Sequence, residues 1–128
     1  MLKDNLIEDL SVKFALRIIS LVRYLLRGNI NDIVLGVLVK QVLRSGTSIG
    51  ANIHESKNAQ SKADFINKIN ISLKEADETE YWLGLLYKSD YLSEKEYNSI
   101  INDNKKIIGI LVRIIKTSKN ANDKPLEK

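Results

Sequence analysis

From Met1 to Lys124 the chain contains no proline; its single one is Pro125. Proline is the commonest helix breaker, because it lacks a backbone N–H and its ring collides with the preceding turn. Over the same stretch, apolar residues recur at three- and four-residue steps in four long segments, the spacing of an amphipathic helix. No segment alternates with period two and no unit repeats, so neither a sheet nor a solenoid competes. The chain is therefore expected to be all-α. Short connections between long helices make neighbours antiparallel, so an up-down-up-down four-helix bundle is predicted. A length of 128 residues with 44% hydrophobic content suits one domain with a core. The bundle is expected over residues 1–118 and a polar C-terminal tail over residues 119–128.

The punctuation sets the boundaries. The first helix should start between Asn5 and Ser11 and end near Arg27, with Gly28 as its C-cap. Asn29-Ile30-Asn31-Asp32 is a turn that offers caps to a second helix, Ile33 to Ser56. Ser61, with Asp64 three residues on, opens a third helix that runs to about Lys88. After Ser89-Asp90-Tyr91-Leu92, Ser93 and Glu96 form a capping box, and Leu92 and Tyr97 are placed for a hydrophobic staple. The fourth helix then runs to about Ser118.

Cysteine is absent, which excludes disulfides, thiolate metal sites and a cysteine nucleophile and fits a reducing cytoplasm. Met1-Leu2-Lys3-Asp4 lacks the pattern of a signal peptide. No uninterrupted apolar run approaches the ~20 residues that span a bilayer, so no membrane is expected as a partner. The net charge of +4 is uneven: residues 1–28, 29–60, 61–92 and 93–128 carry +2, +1, −2 and +3. That asymmetry permits a polyanionic partner without requiring one.

Helical projection adds more. In the first helix Phe14, Ala15, Ile18, Ile19, Leu21, Val22, Leu25 and Leu26 fill about 160°. Lys13, Arg17, Arg23 and Arg27 lie opposite, with Ser20 and Tyr24. In the fourth helix nine apolar residues between Ile100 and Ile115 fill about 200°, and Lys105, Lys106, Arg113 and Lys116 hold the remainder. A bundle core needs an apolar stripe of roughly 100°, so the excess argues for self-association; a broad core in a compact monomer is the alternative. The eight basic residues are candidates for sequence-independent contact with phosphates of RNA or DNA. Few aromatics accompany them, so stacking on single strands is poorly supported. A solvated basic face is the competing interpretation.

Helix two holds Gly46 and Gly50, each costing about 1 kcal/mol against alanine inside a helix. With Ala51 they make a small-residue face that lets another helix approach closely. Gln41, Arg44, Ser48, Asn52 and Glu55 recur beside it as a polar stripe. On helix three Glu80 falls within the expected core face of Phe65, Ile66, Ile69, Leu73, Ala76, Leu83 and Tyr87, and Arg44 is its expected partner. A second stripe there carries Ile71, Glu75, Glu78 and Trp82. These polar residues are expected to form a structural network or a subunit interface. A metal or hydrolytic site on Glu55, Glu75 and Glu78 is the sharper alternative. A di-metal bundle, however, wants Glu-x-x-His pairs, and the only histidine, His54, follows no glutamate by three. No catalytic set can be nominated, and no metal or cofactor is expected.

Three motifs in order carry a resemblance: Gln41 to Ile53 (QVLRSGTSIGANI), Ala59 to Phe65 (AQSKADF) and Leu73 to Leu83 (LKEADETEYWL). Together they resemble the four-helix-bundle family named for reading frames in intervening sequences of bacterial 23S ribosomal RNA genes. The likeness runs from Phe14 to about Lys116; His54 stands where the family often carries a small residue. It implies a four-helix protomer and a homopentameric barrel; that no enzyme is expected follows from the missing catalytic set, not from the resemblance. It also implies a relative, the accessory variability determinant of diversity-generating retroelements, that binds nucleic acid and a reverse transcriptase through a basic surface. A protein-interaction scaffold without nucleic-acid binding is the other function compatible with these residues.

Overall fold

The computed structural model describes residues 6–123. Four helices account for almost all of them: α1 (Leu6–Leu26), α2 (Ile33–Ser56), α3 (Lys62–Lys88) and α4 (Glu94–Asp123). No strand occurs among the described residues. The boundaries match the expected ones to within a residue, except that α4 continues five residues past Ser118, into the expected tail. Asn5 and residues 124–128 lie outside the described residues.

The helix ends follow from local chemistry. Gly28, at φ +75°, ends α1 in the left-handed region that only glycine enters without cost. Asp32 caps α2: its Oδ1 accepts the Leu35 N–H at 3.0 Å. The Ser61 hydroxyl accepts the Asp64 N–H at 3.0 Å, while the Asp64 carboxylate reaches back to the Gln60 N–H instead of closing on Ser61. The Ser93–Glu96 box closes in both directions, at 2.8 and 3.1 Å. Beside it Leu92 is buried, and Tyr97 stacks on Tyr87 with centroids 4.6 Å apart. Helix α3 ends in a Schellman motif, with the Tyr91 N–H on Leu86 O and the Asp90 N–H on Tyr87 O. Asp90 takes the left-handed position there at φ 70°.

The helices join into one core that runs from Ile7 to Ile115 and includes Ile18, Leu35, Val42, Ile49, Phe65, Leu83 and Leu111. Helix α1 meets α2 at the glycines. A Cβ on Gly46 would lie 2.9 Å from Ile18 Cγ1, and one on Gly50 would lie 3.1 Å from Ser11 Oγ. The two positions serve the same end: α1 rests on the bare backbone of α2. Their helix-propensity cost is thus offset by close packing within the chain's own bundle. Helices α2 and α3 share Ser45–Thr79 (2.9 Å) and Ser72–Ile49 O (2.8 Å); α3 and α4 share Asn104–Ala76 O (2.9 Å). Of the neighbouring pairs, α1 and α4 pack least closely.

On α3 the buried set is Phe65, Ile69, Ser72, Ala76, Thr79, Leu83 and Leu86, a heptad alternation of four- and three-residue steps. The expected face is rotated slightly away from it: Ile66, Leu73 and Tyr87 are only partly buried. Ser72 and Thr79 reach the core because each hydroxyl has an acceptor: Ile49 O for Ser72, and Glu75 O, with Ser45 Oγ close by, for Thr79. Helix α2 is long and apolar enough to cross a membrane by length and composition. Counting only uninterrupted apolar runs misses this. In the fold its stripe of Leu35, Val39, Val42, Ile49 and Ile53 is buried against the bundle, the place of a core helix.

Candidate functional site

Four surface features carry chemistry: a polar cluster, the cationic residues, the seam between α1 and α4, and the exposed apolar residues.

The polar cluster sits where α2 meets α3. Arg44 bridges Glu75 Oε1 (3.3 Å) and Glu78, and its Nε and a terminal nitrogen reach Gln41 Oε1 at 3.3 and 3.2 Å. Trp82 Nε1 donates to Glu78 Oε2 at 2.8 Å, and the indole meets the Tyr81 ring edge-on. Arg44 pairs with this stripe and not with Glu80. Glu80 is one residue past the core position of Thr79, is half-buried, and lines a shallow pocket with Asp77, Tyr81 and Lys88. It therefore needs no buried partner. Ser48 and Asn52 turn back onto their own helix, on Arg44 O and Ser48 O. Glu55 takes Lys68 at 3.0 Å, away from the acids of the stripe. The side chains of Arg44, Glu75 and Glu78 are 48%, 21% and 36% exposed, so each pair contributes at most about 1 kcal/mol. The acids are occupied by Arg44 and Lys68, and no three of His, Cys, Asp or Glu converge among the described residues. His54 is exposed on the last turn of α2.

The cationic residues divide. Arg17 is tied down: it donates to Asp103 Oδ2 (2.6 Å), Ser99 Oγ (2.6 Å) and Ser99 O (3.2 Å). Lys13, Arg23, Arg27, Lys105, Lys106, Arg113 and Lys116 are all at least partly exposed, and none makes an ion pair among the described residues. They do not form one patch. Lys13 and Lys106 flank the same hollow, and Arg27 flanks another with Asn29 and Tyr91. Lys105 and Lys116 share a stripe about 80° around α4 from that of Lys106 and Arg113.

The Arg17 bridge crosses a seam between α1 and α4 and divides it into two hollows. One, of about 470 Å³, has Leu21, Tyr24 and Ile100 in its walls; the other, of about 240 Å³, has Leu10, Phe14 and Ile107. The sequence carries no direct sign of this seam, since its residues alternate between two distant helices.

The spare apolar surface is not on α4. There Ile108, Ile110 and Ile114 pack against the core, so the wide arc is absorbed by the fold. The strongly exposed aliphatic side chains lie instead on α1 (Val12, Leu16) and around the α1–α2 turn. Ile30 and Ile33 are 77% and 83% exposed, and Val34 and Val37 follow on α2. The one signal of this in the sequence is the apolar run Ile33 to Val39, which by pattern alone reads as core.

Long helices around one apolar core, with polar contacts at their seams, define a four-helix bundle protein. The chain belongs to the 23S rRNA-intervening sequence protein family, whose model matches residues 3–113. A crystal structure of a protein of unknown function from the S23 ribosomal protein family of Bacteroides thetaiotaomicron is similar at 51% identity. The match covers 87% of this chain and 99% of that one, with a TM-score of 0.80. No curated protein matches the chain significantly.

Proposed function

We propose that this protein is a non-enzymatic oligomeric accessory protein of the cytoplasm that holds nucleic acid, RNA or DNA, through its cationic surface without reading sequence. In this reading the protomer is an antiparallel up-down-up-down bundle and copies assemble into a homopentamer. The contact pairs support the topology: Ser11 and Ile18 ascend α1 as Gly50 and Gly46 descend α2, and Arg44 to Glu55 ascend α2 as Glu75 to Lys68 descend α3. The exposed Ile30, Ile33, Val34 and Val37 support self-association, because strongly exposed aliphatics clustered around one turn mark a contact more than the separate ones on α1 do.

The observation that carries the function is that seven of the eight nominated cations, all but Arg17, are solvent-accessible and without ion-pair partners among the described residues. Free lysine and arginine displace counterions from phosphates, and that release drives non-specific binding. Fluorescence anisotropy with labelled RNA and DNA duplexes across a salt series tests it. Log affinity should fall linearly with log salt, by about 0.9 per phosphate contacted. Lys106→Glu with Arg113→Glu should flatten the slope by about 2. No binding to either duplex at low salt defeats the reading. A protein-interaction scaffold, with a reverse transcriptase among the candidate partners, is the second reading, and the exposed apolar turn favours it. Stoichiometric capture of one protein, insensitive to nuclease, is its signature.

A further inference from the structure

We infer that the seam between α1 and α4 is a docking groove for an acidic amphipathic helix of a partner protein. This goes beyond the nucleic-acid reading and competes with it for Lys13 and Lys106. The floor of the groove is the outer edge of the apolar core, with Phe14, Ile100 and Ile107 buried and Leu21 half-buried, and its two hollows share one spacing. Phe14 and Leu21 on α1 are seven residues apart, as are Ile107 and Ile100 on α4. Seven residues of helix rise about 10.5 Å. A helix lying along the seam therefore brings apolar side chains at i and i+7 over the two hollows. An extended strand cannot do so: about 10.5 Å is three strand residues, and residues three apart point to opposite faces.

The rim selects the charge of the occupant. Lys13, Lys95 and Lys106 are exposed and make no ion pair among the described residues. Of the two acids on the groove, Asp103 is paired with Arg17, while Glu96 accepts the Ser93 N–H and keeps its charge, so the two hollows are lined by four cations against two acids. The balance is cationic, with lysines on both banks, and complements glutamates flanking the apolar anchors. Duplex nucleic acid would use the lysines but leave the apolar floor unfilled, because phosphate contacts need no apolar surface.

The probe is a fluorescein-labelled, glutamate-rich helix of about five turns with leucines at i and i+7. Its control has the same composition with the second leucine moved to i+5, about 140° around the helix. Anisotropy titration should show the control at least about tenfold weaker, and a lysine-for-glutamate version without measurable binding. Lys13→Glu with Lys106→Glu should weaken the probe about tenfold or more. Tyr24→Ala, at an exposed side chain on the floor's edge, should weaken the probe and leave RNA affinity unchanged. Amide shifts on adding the probe should map to the facing halves of α1 and α4. Equal binding of probe and control reduces the site to bulk charge and overturns the inference, as do shifts centred elsewhere. An RNA affinity that falls with Tyr24→Ala as far as the probe's does assigns the groove to nucleic acid instead. Absence of RNA binding in the wild-type protein, with the probe still bound, defeats the nucleic-acid reading alone.

Discussion

At the residue scale, two hydrogen bonds converge on Asp32. Its Oδ1 accepts the Leu35 N–H, and its Oδ2 accepts the Tyr91 hydroxyl at 2.7 Å, across from the α3–α4 connection. The Leu35 N–H, then the Tyr91 hydroxyl, hold the carboxyl below its ordinary value of 3.8 against opposing desolvation. The bond to Asp32 also pushes the Tyr91 phenol above its ordinary 10.0. A carboxyl depressed in the folded state stabilises it above the unfolded pKa, and that contribution is lost as pH falls through the folded value. A phenol raised in the folded state stabilises it below its unfolded pKa, and loses that as pH rises through the folded value. Urea midpoints measured from pH 2 to 11 should therefore fall at both extremes, below 3.8 and above 10.0. In Asp32→Asn the part of the acid-side fall that comes from this carboxyl should vanish; an unchanged acid limb would show that other carboxyls set it.

At the element scale, the six glycines behave differently according to what faces them. A Cβ at Gly46 meets three atoms of fully buried, β-branched Ile18, so the side chain cannot turn away from it. Gly46→Ala should destabilise by about 1–2 kcal/mol, an overpacking cost that exceeds the gain in helix propensity. Gly109 sits on the exposed side of α4, where an added Cβ would meet nothing within 4 Å. Gly109→Ala should stabilise by up to about 1 kcal/mol. Thermal melts of the two variants should move in opposite directions. The helices themselves are legible in the sequence because each end has its own signal: Gly28, Asp32, Ser61 and the Ser93–Glu96 box all act as their residue types suggest. The rotation of α3 is not legible. Ser72, Thr79 and Asn104 look like surface residues by type, although a projection places each on the apolar side of its helix; their partners across the bundle, Ile49 O, Ser45 and Ala76 O, are what let them stay buried there. Asn104 shows the cost: its Nδ2 is bonded, while its buried Oδ1 has no partner.

At the scale of the whole molecule, where a second copy could dock depends on which apolar surface the fold leaves uncovered. A wide apolar arc in a sequence argues for a contact but does not say which helix supplies it. Helix α4 uses its arc in its own core, while the α1–α2 turn leaves Ile30 and Ile33 more than three-quarters exposed. If these residues hold copies together, Ile33→Asp with Val37→Asp should shift the mass seen by light scattering from an oligomer to a protomer, with helicity retained. A wild-type protein that is monomeric at micromolar concentration would remove self-association from the account. The candidate site is legible only in part for the same reason. Arg44, Glu75 and Glu78 can be nominated from periodicity, but the seam between α1 and α4 exists only once Phe14 and Leu21 stand opposite Ile107 and Ile100.

The bare backbone of α2 beneath Ile18 has a consequence for descent as well as for stability. Positions 18 and 46 divide one fixed volume between them, because close-packed helices around that contact leave no slack on either side. A relative that gains a methyl at position 46 is therefore expected to have surrendered one at position 18, since each change alone should destabilise the contact by crowding it or hollowing it. The pair should drift together across the family, as a compensated exchange, while the open position 109 drifts freely.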